Sequence, residues 1–68
     1  MRSSRVRSRV GAELKRKGLT QSWLANRLGC SSREASMYAR GLTEPRIARA
    51  LEIAHSLGVS VEKLWELA

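Results

Sequence analysis

A chain of 68 residues with thirteen Lys and Arg against six Asp and Glu, a formal charge of +7 and an isoelectric point near 11.2, is one small domain suited to a polyanionic partner or surface. Its lone cysteine, Cys30, excludes an internal disulfide, and no second cysteine or histidine cluster completes a zinc tetrahedron, so neither metal nor other cofactor is expected. No run approaches the roughly 20 apolar residues of a membrane span, and the opening MRSSRVRSRVG lacks the apolar segment of a secretory signal, which makes a soluble, cytoplasmic protein the expectation.

The charge is unevenly placed. Residues 1–49 hold twelve basic and three acidic side chains, whereas residues 50–68 hold Lys63 against Glu52, Glu62 and Glu66, so one end of the domain faces an anion and the other does not. Neither an internal repeat nor a linker is visible. Residues 1–68 are expected to form one domain, with the basic, serine-containing residues 1–4 as a mobile arm.

Apolar positions recur at three- and four-residue steps almost throughout, without the alternation of strands, and predict an all-α chain of five helices. A first helix from Ser4 carries Val6, Val10 and Leu14 on one face and ends at Lys17 and Gly18, where cations and a glycine favour a C-terminus. Gly11 weakens its middle by about 1 kcal/mol relative to alanine. The second helix follows Thr20 as N-cap, turns Leu24, Ala25 and Leu28 inward, and stops at Gly29.

Ser31 and Glu34 have the S-x-x-E spacing of a capping box, which starts a third helix. Ala35, Tyr38 and Ala39 fall on its thin inner side; Ser32, Arg33, Ser36, Met37 and Arg40 fall on the other, and Gly41 ends it. Thr43 caps a fourth helix with Pro45 in its first turn and Ile47, Leu51, Ile53, Ala54 and Leu57 as its apolar residues. Ser60 caps a short fifth helix with Leu64 and Leu67 inward and Val59 or Val61 packing at its entry. Two helices joined by the tight LGCSS turn, the second presenting polar side chains outward, point to a helix-turn-helix whose outward helix enters a DNA major groove.

GLTQSWLANRLGCSSREASMYARG, followed by EP, an apolar helix and LGVSVEKL, resembles the Cro and phage-repressor (xenobiotic-response-element) type of helix-turn-helix proteins, with its LTQ-x-x-LA-x-x-x-G opening and LGVS-x-x-x-L close. The match runs from about Val10 to Leu67. It implies a compact five-helix, lambda-repressor-like domain that binds double-stranded DNA sequence-specifically through a recognition helix at about Ser32–Arg40. It also implies a transcriptional regulator working as a two-fold dimer on a palindromic operator, in a bacterial or phage-infected cell.

The resemblance assigns roles by position. Ser32, Arg33 and Met37 fall where the family reaches bases, with Ser31 and Ser36 near enough to assist. Arg33 is the strongest of these, since a guanidinium binds guanine O6 and N7 in a bidentate pair worth roughly 1–3 kcal/mol of discrimination. Met37 either touches a thymine methyl or is exposed filler, and Glu34 either caps its helix or reads a cytosine amino group. Gln21, Arg40 and Arg46 match positions that meet phosphate, and Thr20 joins them beside Gln21. Phosphate contacts set register without carrying sequence information.

Two departures stand out. Many members pair an arginine in the first helix with a glutamate late in the third, where this chain has Leu14 and Ala39. Losing both charges together is physically consistent, because only a lone survivor would be stranded. Trp23 replaces an exposed polar residue and either folds back on the first helix or makes a contact surface.

The apolar residues from Leu57 to Leu67 exceed what one short helix covers, and Leu64 and Trp65, being adjacent, point in different directions. Val59 and Trp65 are therefore candidates for the dimer contact, formed in free protein or only on DNA, against the alternative that Trp65 packs over the end of its own domain. Competing readings are an antitoxin-type or other protein-binding regulator, for which no toxin-wrapping segment is expected outside the five helices, and a membrane-surface peptide built on the basic first helix. An enzyme is not expected: the chain has one His, no Asp and one Cys, with no nucleophile spaced to meet a base, and His55 is read as a surface or half-buried residue with no small-molecule substrate.

Overall fold

The computed structural model describes residues 6–67. In chain order these form β1 (Val6–Ser8), α1 (Val10–Arg16), α2 (Gln21–Leu28), α3 (Ser32–Arg40), α4 (Ile47–Leu57), α5 (Val61–Leu64) and β2 (Trp65–Leu67). The five expected helices are all present, and their facing sides share one core: Val10 and Leu14 of α1, Leu24 and Ala25 of α2, Ala35 and Tyr38 of α3, Ile53, Ala54 and Leu57 of α4, and Leu64 of α5. Leu24, Ile53 and Leu64 are fully enclosed, and burial of each contributes about 1.5–3 kcal/mol.

The two ends of the described chain depart from the all-helical reading. Val6 lies in a strand, and the first helix begins at Val10; the expected start at Ser4 and the arm over residues 1–4 lie outside the described residues. β1 and β2 pair antiparallel, with Val6 opposite Leu67, Arg7 opposite Glu66 and Ser8 opposite Trp65. Contacts before Val10 fix this path. The Arg9 amide donates to the Leu64 carbonyl at 2.7 Å, and the Ser8 hydroxyl accepts from the Val10 amide at 3.2 Å while donating to the Tyr38 carbonyl at 3.0 Å.

Leu67, expected inward on the fifth helix, is instead a strand residue and 85% exposed, because α5 stops at Leu64. Ser60 occupies the N-cap position of α5 but makes no side-chain cap bond. Thr43 does not cap α4: the helix starts after Arg46, as proline at position 45 biases the residue before it toward extended backbone and delays the helix. Ile47 and Leu51 do not join the core. They are 79% and 55% exposed, displaced to one side of the buried stripe formed by Ala50, Ile53, Ala54 and Leu57.

Candidate nucleic-acid interface

The pair α2–α3 is built by local signals that act as the sequence requires. The Thr20 hydroxyl accepts from the Trp23 amide at 3.0 Å and opens α2. Gly29, at φ 69°, closes it in the left-handed conformation, and the Cys30 amide folds back to the Ala25 carbonyl at 3.0 Å. The Ser31 hydroxyl then accepts from the Glu34 amide at 3.1 Å and opens α3. The capping box is only half formed. The Glu34 carboxylate turns away from the cap and accepts the Tyr38 hydroxyl at 2.6 Å.

At 100° per residue, Ser32, Arg33, Ser36, Met37 and Arg40 share one side of α3, opposite Ala35, Tyr38 and Ala39. Ser31, Ser32, Arg33 and Arg40 are exposed and Ser36 and Met37 half-buried, while Ala35 and Tyr38 are buried. Thr20 and Gln21 are exposed at the start of α2, and Arg46 is exposed at the start of α4. The candidate base-reading residues thus come together on one helix. Of the candidate phosphate residues, Thr20, Gln21 and Arg46 lie at helix N-termini, where free amides and the helix dipole also favour anions, and Arg40 lies at the C-terminal end of α3, where its own charge is the attraction.

The distribution of ion pairs sharpens the picture. Glu13 engages Arg16 at 2.5 Å and Lys17 at 3.6 Å, Glu66 engages Arg9 and Arg7, and Glu34 and Glu52 engage Arg49 at 3.6 and 3.1 Å. Arg33, Arg40 and Arg46 make no ion pair with any described residue. Arg27 lies over the ring of Trp23, 5.5 Å from its centroid, and that half-buried ring packs against the core. Burial pushes the Cys30 thiol above its usual range, so it remains a protonated filler of the turn.

Val59 and Trp65, the candidate dimer residues, are both half-buried and packed against their own core. Trp65 also lines a shallow cleft of about 180 Å³ with Val6, Glu44, Pro45, Ala50 and Val61. Ile47 and Leu51, one turn apart on α4, are exposed apolar side chains. His55 is exposed. No helix among the described residues is long and apolar enough to cross a membrane.

Arg49 was not singled out by its sequence position, although Glu52 three residues on was a visible partner. Likewise Tyr38, as a core tyrosine, needed an acceptor, and Glu34 four residues earlier supplied one.

The family model described as helix-turn-helix matches residues 11–64. No curated protein matches the chain. Among solved structures, a Bacteroides fragilis protein described as DNA-binding is similar at a TM-score of 0.83 and 24% identity, over 90% of this chain and 98% of that one. A Listeria innocua transcriptional regulator is similar at a TM-score of 0.66 and 24% identity over 85% of this chain; the match spans 58% of the regulator.

Proposed function

Because this chain belongs to the Cro/C1-type helix-turn-helix family of DNA-binding regulators, we propose that it reads a specific double-stranded DNA operator with α3 in the major groove. The observation that carries this is a set of cations that make no ion pair with any described residue and lie close together: Arg33 in the first turn on the outer face of α3, Arg40 at its end and Arg46 just beyond. Arg33, with Ser32 and Met37 and assisted by Ser31 and Ser36, contacts base edges. Thr20, Gln21, Arg40 and Arg46 hold phosphates. Residues 1–68 act as one such unit in the cytoplasm, as a Cro/repressor-type transcriptional regulator.

Two copies bind a palindromic site through Trp65, Val59 and the neighbouring apolar surface of Ile47 and Leu51. Exposed branched apolar side chains on consecutive turns of α4, beside a cleft that a large side chain can enter, support this second-copy reading. Selection from random-sequence duplexes tests the whole proposal. A two-fold consensus is expected; recovery of no preferred sequence would overturn specific recognition, and recovery of a single half-site would overturn the dimer.

A further inference from the structure

The recognition helix sits on α1 and α2 mostly through small side chains, so few large groups fix its tilt. Its inner face offers Ala35 and Ala39, which are small, and only Tyr38 is large. The C-terminal half is held by the close approach of Gly11 to Ala39 and by the Ser8 hydroxyl on the Tyr38 carbonyl. The N-terminal half, which carries Ser32 and Arg33, has neither contact.

What reaches that half is Arg49, from the first turn of α4. Its Nη1 donates to the Leu28 carbonyl, the last residue of α2, at 3.2 Å, and its Nη2 stands 3.6 Å from Glu34 Oε2 in the first turn of α3. The same Glu34 oxygen accepts the Tyr38 hydroxyl at 2.6 Å, and Glu52 steadies the guanidinium from its own helix at 3.1 Å. One rigid, planar group thus spans the short turn between the two helices, touching the last carbonyl before it and a carboxylate just after it.

We propose that Arg49 is a positioning residue for sequence reading: it fixes the tilt of α3 against α2 and thereby places Ser32 and Arg33. This rests on the DNA-reading function proposed above. The side chain of Arg49 is 26% exposed and lies between two carboxylates, which makes it a poor phosphate ligand, unlike the unpaired Arg46. Lysine would not replace it, since an ammonium lacks the fixed fork that serves a carbonyl and a carboxylate at once. Partly exposed ion pairs add little to fold stability, so its loss falls mainly on geometry.

The test compares wild type, Arg49→Met, Arg49→Lys and Arg49→Met combined with Glu34→Gln. Binding is measured on the best selected duplex and on a nonspecific duplex across a salt series, with thermal unfolding as the control for folding. Residual dipolar couplings of the backbone amides of residues 32–40 report the tilt of α3 in free protein. Both Arg49 variants should lose roughly 5- to 100-fold on the best site, the cost of misplacing one bidentate base contact, with nonspecific affinity and salt slope as in wild type. The couplings should shift, and the double variant should bind no worse than Arg49→Met, as expected for partners in one network. Unchanged couplings and unchanged site affinity in either folded variant overturn the proposal, as does an equal loss on both duplexes with a salt slope flattened by about 0.9, the signature of a phosphate contact. Should Arg49→Met not fold, Arg49→Lys carries the comparison. If wild type prefers no sequence, the DNA-reading function itself fails, and the couplings still decide if Arg49 sets the tilt.

Discussion

Gly11 faces the backbone of Ala39 so closely that a Cβ at position 11 would lie 2.8 Å from the Ala39 oxygen and 3.8 Å from its Cβ. Helix α1 therefore crosses α3 at a point where neither side has room for a larger group, and the loss of helix propensity at Gly11 is offset by the approach it permits. Alanine at position 11 gains about 1 kcal/mol of helix propensity and meets a backbone atom that cannot swing aside. The expected net effect of Gly11→Ala is destabilisation by about 1–3 kcal/mol, the usual cost of overpacking, read from urea unfolding. A more stable variant would show that α3 yields freely, and that the close approach places no constraint on it.

The parts of this molecule legible in the sequence are those whose cause is local. Thr20, Gly29, Ser31 and Gly41 act on amides or backbone angles within a few residues of themselves, and each sits at the helix boundary its chemistry predicts. The outer face of α3 was legible for the same reason, since helical periodicity alone separates Arg33 and Arg40 from Ala35 and Tyr38. What the sequence did not show depends on partners far along the chain. The Ser8 hydroxyl finds the carbonyl of Tyr38, Arg49 finds the carbonyl of Leu28, and three-residue strands at opposite ends pair with each other. Such strands are too short to show a period. The S-x-x-E spacing was half misleading: Glu34 has both a cap and a tyrosine within reach, and the tyrosine holds it.

Ser31→Ala should cost about 1 kcal/mol, because the Glu34 amide loses its acceptor at the start of α3 and the reciprocal carboxylate bond of a full capping box is absent. Glu34→Gln should cost less in stability, since an amide oxygen still accepts from Tyr38. Denaturant midpoints rank the two variants. The reverse order would mean that Glu34, and not the serine cap, secures the first turn.

Tyr38 is the only tyrosine, so its phenol can be titrated directly by ultraviolet absorbance. Burial, then its bond to the Glu34 carboxylate, pushes its pKa above the ordinary value. A raised folded value means that the associated stability is complete below the unfolded pKa, about 10, and is lost as pH rises through the folded value. Native protein should therefore titrate at higher pH than urea-unfolded chain, and Glu34→Gln should narrow the gap. Coincident curves for native and unfolded protein would contradict the buried, hydrogen-bonded phenol.

Arg33 and Arg46 should separate reading from anchoring. Arg46→Ala should weaken all duplexes alike and flatten the dependence of log affinity on log salt by about 0.9, as loss of one phosphate contact requires. Arg33→Ala should cost about 1–3 kcal/mol on the best site, relax preference at one base pair in each half-site, and leave nonspecific binding nearly unchanged. Titrations of each variant on both duplexes over a salt series check this. A pair of variants with identical signatures would reduce Arg33 to another phosphate contact.

The second-copy surface can be tested without disturbing the core, because Ile47 and Leu51 are exposed while Trp65 and Val59 also pack inward. Substituting both by glutamine keeps helix propensity and removes the apolar patch, and exposed changes of this kind usually alter stability by no more than about 0.5 kcal/mol. On a full two-fold site, with recognition helices one DNA turn or roughly 34 Å apart, wild type should bind cooperatively as two copies. On an isolated half-site it should bind as one copy and more weakly. Ile47→Gln with Leu51→Gln should abolish the cooperativity and leave half-site affinity intact, whereas Trp65→Ala should lose both cooperativity and stability, since its ring also covers the core. Equal affinity of wild type for both DNAs, with one copy bound to each, would mean that two copies do not meet through this face. Preserved cooperativity in the double glutamine variant would move the contact away from Ile47 and Leu51 to a part of the surface that does not include them.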